Sequence, residues 1–536
     1  MTPSHLALAW ALSFLQAPAA PEKPASTAPA TVTQAQLASS YAEGVVGYAV
    51  GMDTKAKRWT VEVSFPVTKS DAFEVWLPRW TPGAYHLADF SRFVDDFEAR
   101  DGNGAVLPVE TLEDPVHWKV TPKGPGRVRV KYTAKNAAEG LEGFMLDMES
   151  NRIRKNHAYL TPASLMAFVP ELRDNAIEMD IALPAGWGVA SPLQKNASGR
   201  YVAPSYYRLE DSPFLMGKSL RTVDFTYKQI PHTVATLYRN EEEIQQITDV
   251  CKRVVEAGDK MFGGLPYDRY TFLFALVPEG GMGALEHSYS ALFVLPQRQG
   301  GDELNHIIAH EYVHLWNAER VHVETLQKPD QTQPFETGTI WMNEGATEYL
   351  SHLVLVHAGL TTREEFFKSM ASNHAQCHAP MMKQMMTRRS NVEASKAWRN
   401  PEGFEFVEVA AATYQKGSLH MFAADLEIRR LSGGKRGLTD VVRTLMDEYW
   451  RKGKGYPEDV LPSVFAKVAG GDMSVFFQKY ISGRELADLT EFLRPFGLRV
   501  EKNGDDSMRG KFSELDSATP EQLALRESIF SLPSGH

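Results

Sequence analysis

Residues 300–317 read Gly-Gly-Asp-Glu-Leu-Asn-His-Ile-Ile-Ala-His-Glu-Tyr-Val-His-Leu-Trp-Asn. The five residues from His310 to His314 decide the reading. Two histidines at i and i+4 share one face of a helix, about 6 Å apart along its axis, so both rings can reach one ion. Glu311, beside the first histidine, can point toward a water on that ion. Gly300-Gly301 breaks the preceding chain, Asp302 is a candidate N-cap, and Leu304, Ile307, Ile308 and Leu315 give the helix apolar flanks. The bland alternative is a charged helix face with two solvated or core histidines. A third ligand decides between them, because a catalytic zinc takes three protein ligands and keeps one position open. Thr339 to Gly359 has a strong helical pattern with a glycine stop. Glu344, in Trp-Met-Asn-Glu-Gly, is the natural third ligand for one zinc ion. Glu348, one turn on, can orient a ligand histidine from behind or stand as a solvated carboxylate.

The rest of the chain sets the frame. Its 536 residues, 43% hydrophobic and 23% charged, suit a folded multidomain protein. The net charge of −10 argues against a nucleic-acid partner. Two cysteines, Cys251 and Cys377, exclude a disulfide scaffold and an all-cysteine zinc site. Leu6 to Leu15 is a short apolar run followed by Ala17-Pro18-Ala19, which reads as a signal peptide over residues 1–19 and predicts export, periplasmic or secreted. An Ala/Pro-rich linker follows over residues 20–40. No later apolar run is long enough to span a bilayer, so the mature chain is expected to carry no integral membrane segment.

Residues 41–238 alternate with period two, as in Trp59, Val61, Val63 and Phe65, and turn formers punctuate the runs, which predicts an antiparallel β-sandwich. From Asn240 the pattern changes. Glu241 to Phe262 reads as an amphipathic helix, Tyr270 to Val277 as a buried strand and Ser290 to Leu295 as another. Beyond Gly301 the chain is dominantly helical to Gly497, and residues 501–536 form a polar tail without a long periodic segment.

His-Glu-x-x-His with Asn343-Glu344-Gly345 on a second helix resembles the gluzincin pattern shared by thermolysin-like and alanyl-type aminopeptidases. Twenty-nine residues separate His314 from Glu344, and that spacing, with His314-Leu315-Trp316-Asn317, resembles the glycyl aminopeptidase family. Trp80-Thr-Pro-Gly-Ala-Tyr85 with Phe90 and Arg92, Leu209-Glu-Asp-Ser-Pro213, Gly283-Ala-Leu-Glu-His287, Tyr414-Gln-Lys-Gly417, Asp425-Leu-Glu-Ile-Arg429 and Tyr480-Ile-Ser-Gly483 are similar to that family's segments in order. The family's PDZ domain has no counterpart in the 36 residues after Val500. The resemblance implies a multidomain α+β fold: the β-sandwich, a thermolysin-like zinc domain over residues 239–360, and a helical domain over residues 361–500. It implies His310, His314 and Glu344 as zinc ligands, Glu311 as general base, and Tyr414 as a phenol donor to the oxyanion. Glu286 would bind the substrate's free α-ammonium while Gly283 and Ala284 pair with its backbone. His287 fits the pattern, either touching the site's outer residues or as a plain structural histidine. The implied activity is removal of an N-terminal glycine or other small residue from peptides. An endopeptidase on the same scaffold, or a peptide-binding protein with a structural zinc, stands as the alternative. His374 and His378 with Cys377, the methionines 381, 382, 385 and 386, and Arg388-Arg389 read as structural or exposed groups.

Overall fold

The computed structural model describes residues 32–38, 40–140, 147–278, 283–401, 403–501 and 510–533. The expected signal peptide and most of the linker lie outside the described residues. No helix among the described residues is long and apolar enough to cross a membrane.

The first unit is rich in sheet. Strands Val46–Asp53 and Arg58–Val67 pair with each other, and Arg58–Val67 pairs on its other side with Gly126–Lys135. Trp59, Val61, Val63 and Phe65 all point inward, as their alternation requires. These strands belong to a seven-stranded sheet, and smaller sheets of three and four strands pack with it around one core. The all-antiparallel expectation needs correction at one place. Val46–Asp53 pairs parallel with Ile177–Ile181, which is possible because a long crossover separates them in sequence.

The domain boundary also moves. A five-stranded sheet runs in the order Arg221–Tyr227, Ile230–Leu237, Tyr270–Val277, Ser290–Pro296, Ala284–His287. The hairpin of residues 221–237 therefore belongs to the second unit and not to the sandwich expected to end at residue 238. Period two cannot show this, because it reports that a segment is a strand and not which sheet receives it. Ile230–Leu237 lies parallel to Tyr270–Val277, with Val234 opposite Phe272. The 22-residue helix Glu241–Phe262 occupies the residues its pattern predicts. Asn240 and Glu243 close its capping box, and Gly263 ends it at φ 79°.

The chain from Gly301 is mostly helical. Gly301–Val313 and Ala346–His357 pack against each other, and Gln415–Ser432 packs on the latter. Cys251 and Cys377 are buried and unbridged. The described part of the C-terminal segment is more ordered than a polar tail. Phe512–Glu514 pairs with Leu498–Val500, and Pro520–Ser528 forms a helix capped by Thr519. Ile529 and Phe530 are buried in the large core, and the Phe530 ring lies 5.2 Å from that of Phe366. Few apolar residues suffice here because they insert into a core built elsewhere. Phe530→Ala should cost about 3 kcal/mol in a denaturant melt of the full chain; a variant as stable as the parent would contradict this packing.

Candidate metal centre

His310 sits in the last turn of helix Gly301–Val313, and His314 caps its end. The helix starts two residues earlier than an Asp302 cap would place it, with Gly300 at the N-cap and Asp302 inside the first turn. Glu344 comes from the next ligand segment. Its turn, Trp341–Gly345, is π-helical before the α-helix proper begins at Ala346, where the sequence suggested an uninterrupted α-helix. Such turns recur at functional sites.

The three side chains converge. His310 Nε2 and His314 Nε2 are 3.1 Å apart. Glu344 Oε2 lies 3.5 Å from the first and 3.3 Å from the second. A tetrahedral ion with ligand bonds of about 2.0–2.1 Å has edges of about 3.3–3.4 Å. The protons say the same. His310 Nδ1 faces Glu348 Oε2 at 3.1 Å, and His314 Nδ1 faces the Asn317 carbonyl at 3.2 Å. Both partners can only accept, so both Nδ1 atoms carry hydrogen, and each ring when neutral aims its Nε2 lone pair at the carboxylate. Glu344 Oε2 is buried with no hydrogen-bond partner. Three lone-pair donors facing one point fit a divalent cation. In its absence protons serve instead: although burial lowers His314, the carboxylates of Glu286 and Glu344 lift it to about 9. His310 is likewise raised well above its ordinary value, against burial, by Glu344 and Glu348.

Asn317 is a residue the sequence reading used only as part of a motif. It is fully buried, and its Nδ2 donates to the carbonyls of Met342 and Asn343 at 2.8 and 3.1 Å and to Thr347 Oγ1 at 3.0 Å. With its own carbonyl on His314, it ties the histidine helix to the π turn that bears Glu344. A lone amide among apolar neighbours one turn past His314 was the available clue.

Tyr414 lies at the junction of helices Phe404–Thr413 and Gln415–Ser432. Its ring stacks near His310 at 5.9 Å, and Glu344 is the leading charge acting on its phenol. Desolvation first, then the charges of Glu344, Glu286 and Glu311, raise the phenol well above its ordinary value, so it remains a proton donor. Two glycines permit this approach. A Cβ on Gly345 would stand 2.6 Å from the Gly417 backbone, and one on Gly417 would stand 2.9 Å from Gly345 Cα.

Glu286 lies on Ala284–His287, the edge strand of the five-stranded sheet. Its carboxylate, Glu311 and His314 have ligand atoms all within 4.8 Å of one another. Glu286 Oε1 is buried and unpartnered. Desolvation raises the Glu311 carboxyl to about 7, against the pull of His310 and His314. Gly283 adopts φ 133° and its carbonyl accepts from Val294 N, which leaves the strand's other edge unpaired within the sheet. The first unit reaches in here. Trp80 and Tyr85 pack on Phe335, and a Cβ on Gly83 would lie 2.7 Å from Leu285 Cδ1 and 3.3 Å from Glu286 Cδ. Glu149, which the sequence reading missed, comes from the same unit. It is buried, pairs with His86 Nε2 at 3.1 Å, and is raised well above its ordinary range by burial and by the charge of Glu286. Nothing in its local sequence distinguishes it from other glutamates. His287 faces Asp211 with Nδ1 at 3.0 Å and anchors the strand from behind.

The other groups stay apart. The rings of His374 and His378 lie 4.2 Å apart and tilted, but among the described residues no third donor completes a set with them. Met382 and Met386 are buried in the core, and Met381 is exposed. Arg388 pairs with Glu408, and Arg389 with Glu405 and Glu408.

The profile of the Peptidase M61 N-terminal domain matches residues 47–218, and that of M61 glycyl aminopeptidase matches residues 303–420. The chain belongs to the M61 glycyl aminopeptidase family. The first match ends where the sandwich does and leaves the hairpin of residues 221–237 to the second unit. Among solved structures, an aminopeptidase N family protein from Idiomarina loihiensis superposes with a TM-score of 0.74 at 24% identity, covering 85% of this chain and 79% of that one. A mutant M1 zinc metallopeptidase from Deinococcus radiodurans, bound to a Tyr-Ser-Ala substrate, gives 0.49 at 13% identity over 81% and 92% of the two chains. No curated protein matches the chain. Membership makes this M61 chain a metallopeptidase.

Zinc should bind more tightly as pH rises. The ion-free histidines are raised, so at pH 7 both hold protons that the ion must displace, and His314 gives up its own as pH passes about 9. Zinc affinity, measured by competition with a chelating dye, should strengthen at least about tenfold per unit between pH 6 and pH 8. A pH-independent affinity would contradict the proton assignment.

Proposed function

We propose that this M61 chain is an exported zinc aminopeptidase with a thermolysin-like catalytic domain, acting on peptides with a free N-terminus and preferring glycine or another small first residue. The family and the convergence of His310, His314 and Glu344 support zinc. Export rests on Leu6 to Leu15 and Ala17-Pro18-Ala19. The preference for a small residue rests on the family description.

The observation that carries the aminopeptidase reading is the nearness of Glu286 to Glu311 and His314, with all three sets of ligand atoms inside 4.8 Å. An α-ammonium held by Glu286 leaves its own residue's carbonyl as the one within reach of the metal ligands. The first peptide bond is thereby selected. Glu149 adds a second buried carboxyl group that feels the charge of Glu286. The strand's unpaired edge at Gly283 and Ala284 offers backbone groups to an extended peptide.

An ion on His310, His314 and Glu344 would polarise the scissile carbonyl and acidify a water. Glu311 takes the proton of the attacking water and delivers it to the departing amine. Its elevated range in the ion-free site suits both directions of transfer. Tyr414 donates its phenolic hydrogen to the oxygen that becomes negative, and burial first, then the crowd of carboxylates, keep it protonated for the task. Glu348 and the Asn317 carbonyl hold the two histidines in their working tautomer.

Glycyl amide and glycyl peptides should be cleaved, and the same peptides N-acetylated should not. Equal rates on both would place the chain among endopeptidases. Glu311→Gln should lower kcat by about 10²–10⁴-fold with zinc still bound. Tyr414→Phe should lower it by about 10²–10³-fold. Zinc content by elemental analysis separates loss of chemistry from loss of metal. A wild-type protein as inactive as Glu311→Gln on a broad peptide panel would favour a binding protein instead.

A further inference from the structure

Behind the metal centre lies a second convergence of donors. His306 is one helical turn before His310, and His352 is one turn after Glu348. His306 Nε2 lies 3.4 Å from Glu348 Oε1, and His352 Nε2 lies 3.7 Å from the same oxygen. The ligand atoms of His306, Glu348 and His352 are all within 4.8 Å of one another. Both histidines are buried. The separations are long for hydrogen bonds, yet near the edge length of a tetrahedral site. The first centre has the same character, with edges of 3.1 to 3.5 Å.

We propose that His306, His352 and Glu348 Oε1 form a second binding site for a divalent first-row transition ion of the zinc class. Two neutral imidazoles and one carboxylate match such an ion in softness and leave a charge of +1. A small cavity of about 10 Å³, room for one water, borders Glu348 and His352. Gln415 and Ser418 also line it, and both are buried with side-chain atoms that have no hydrogen-bond partner. A water there can complete the coordination and satisfy these groups. Glu348 joins the two centres: Oε2 accepts from His310 Nδ1, while Oε1 faces the second site. An ion on Oε1 draws charge from the carboxylate that supports His310, so occupancy of one site acts on the other. The competing arrangement is a hydrogen-bonded ladder, with His306 Nε2 donating to Ser351 Oγ at 3.2 Å.

The test is the number of ions per chain. Metal-free full-length protein is dialysed against excess Zn²⁺ and counted by elemental analysis. The double variant His306→Gln/His352→Gln should hold one ion fewer than the wild type. Equal counts overturn the proposal, whether the ladder alone exists or a further ion sits elsewhere, as at His374 and His378. Circular dichroism checks the fold. If the double variant fails to fold, His352→Gln alone should show the same loss. His314→Ala removes a ligand of the first centre alone: it should also lose one ion, and its failure to do so would count against the first site and not the second.

Discussion

Two imidazole nitrogens and one carboxylate oxygen face a common point, and the surrounding structure is arranged to keep them aimed there. His310 and His314 are turned by acceptors behind them, Glu348 and the Asn317 carbonyl. Glu344 Oε2 is buried with no hydrogen-bond partner. Without a cation this arrangement is costly, because a buried carboxylate must be compensated. The raised histidines show protons filling that role. A divalent ion held there would do so in place of the protons.

The two glutamates of the metal segment divide their work by one helical turn. Glu344 points its oxygen at the ligand nitrogens, and Glu348 supports His310 from the far side. The π turn at Trp341–Gly345 sets the first of these directions, and Asn317 fixes the turn to the histidine helix. The Gly345–Gly417 contact then brings the helix after Tyr414 against the same turn. One backbone approach thus couples Glu344, the proposed ligand, to Tyr414, the proposed phenol donor. The first unit closes the other end, where Gly83 seats against Glu286 and Glu149 lies within reach of its charge.

Much of this was legible in the sequence because it is local. The period of Glu241 to Phe262, the apolar run Tyr270 to Val277 and the i, i+4 histidines each depend on neighbours within a few turns, and the structure has them in those places. Glu311 was read from the histidine motif itself, Glu286 and Tyr414 came from a family resemblance, and the fold brings the three to one place. What stayed hidden depends on distant partners. The hairpin of residues 221–237 reads as strand in either unit. Glu149 matters only because Thr81 and His86 hold it beside Glu286. The C-terminal helix is polar by composition and is held by Ile529, Phe530 and the bond from Arg429 to the Ser528 carbonyl. The π turn needs Asn317, which no local propensity reveals.

The most direct measurement is anomalous scattering at the zinc edge from crystals of the zinc-loaded protein. A peak should lie about 2.0–2.2 Å from His310 Nε2, His314 Nε2 and the Glu344 carboxylate together. No peak there, or a Glu344 carboxylate turned away from it, would contradict the account.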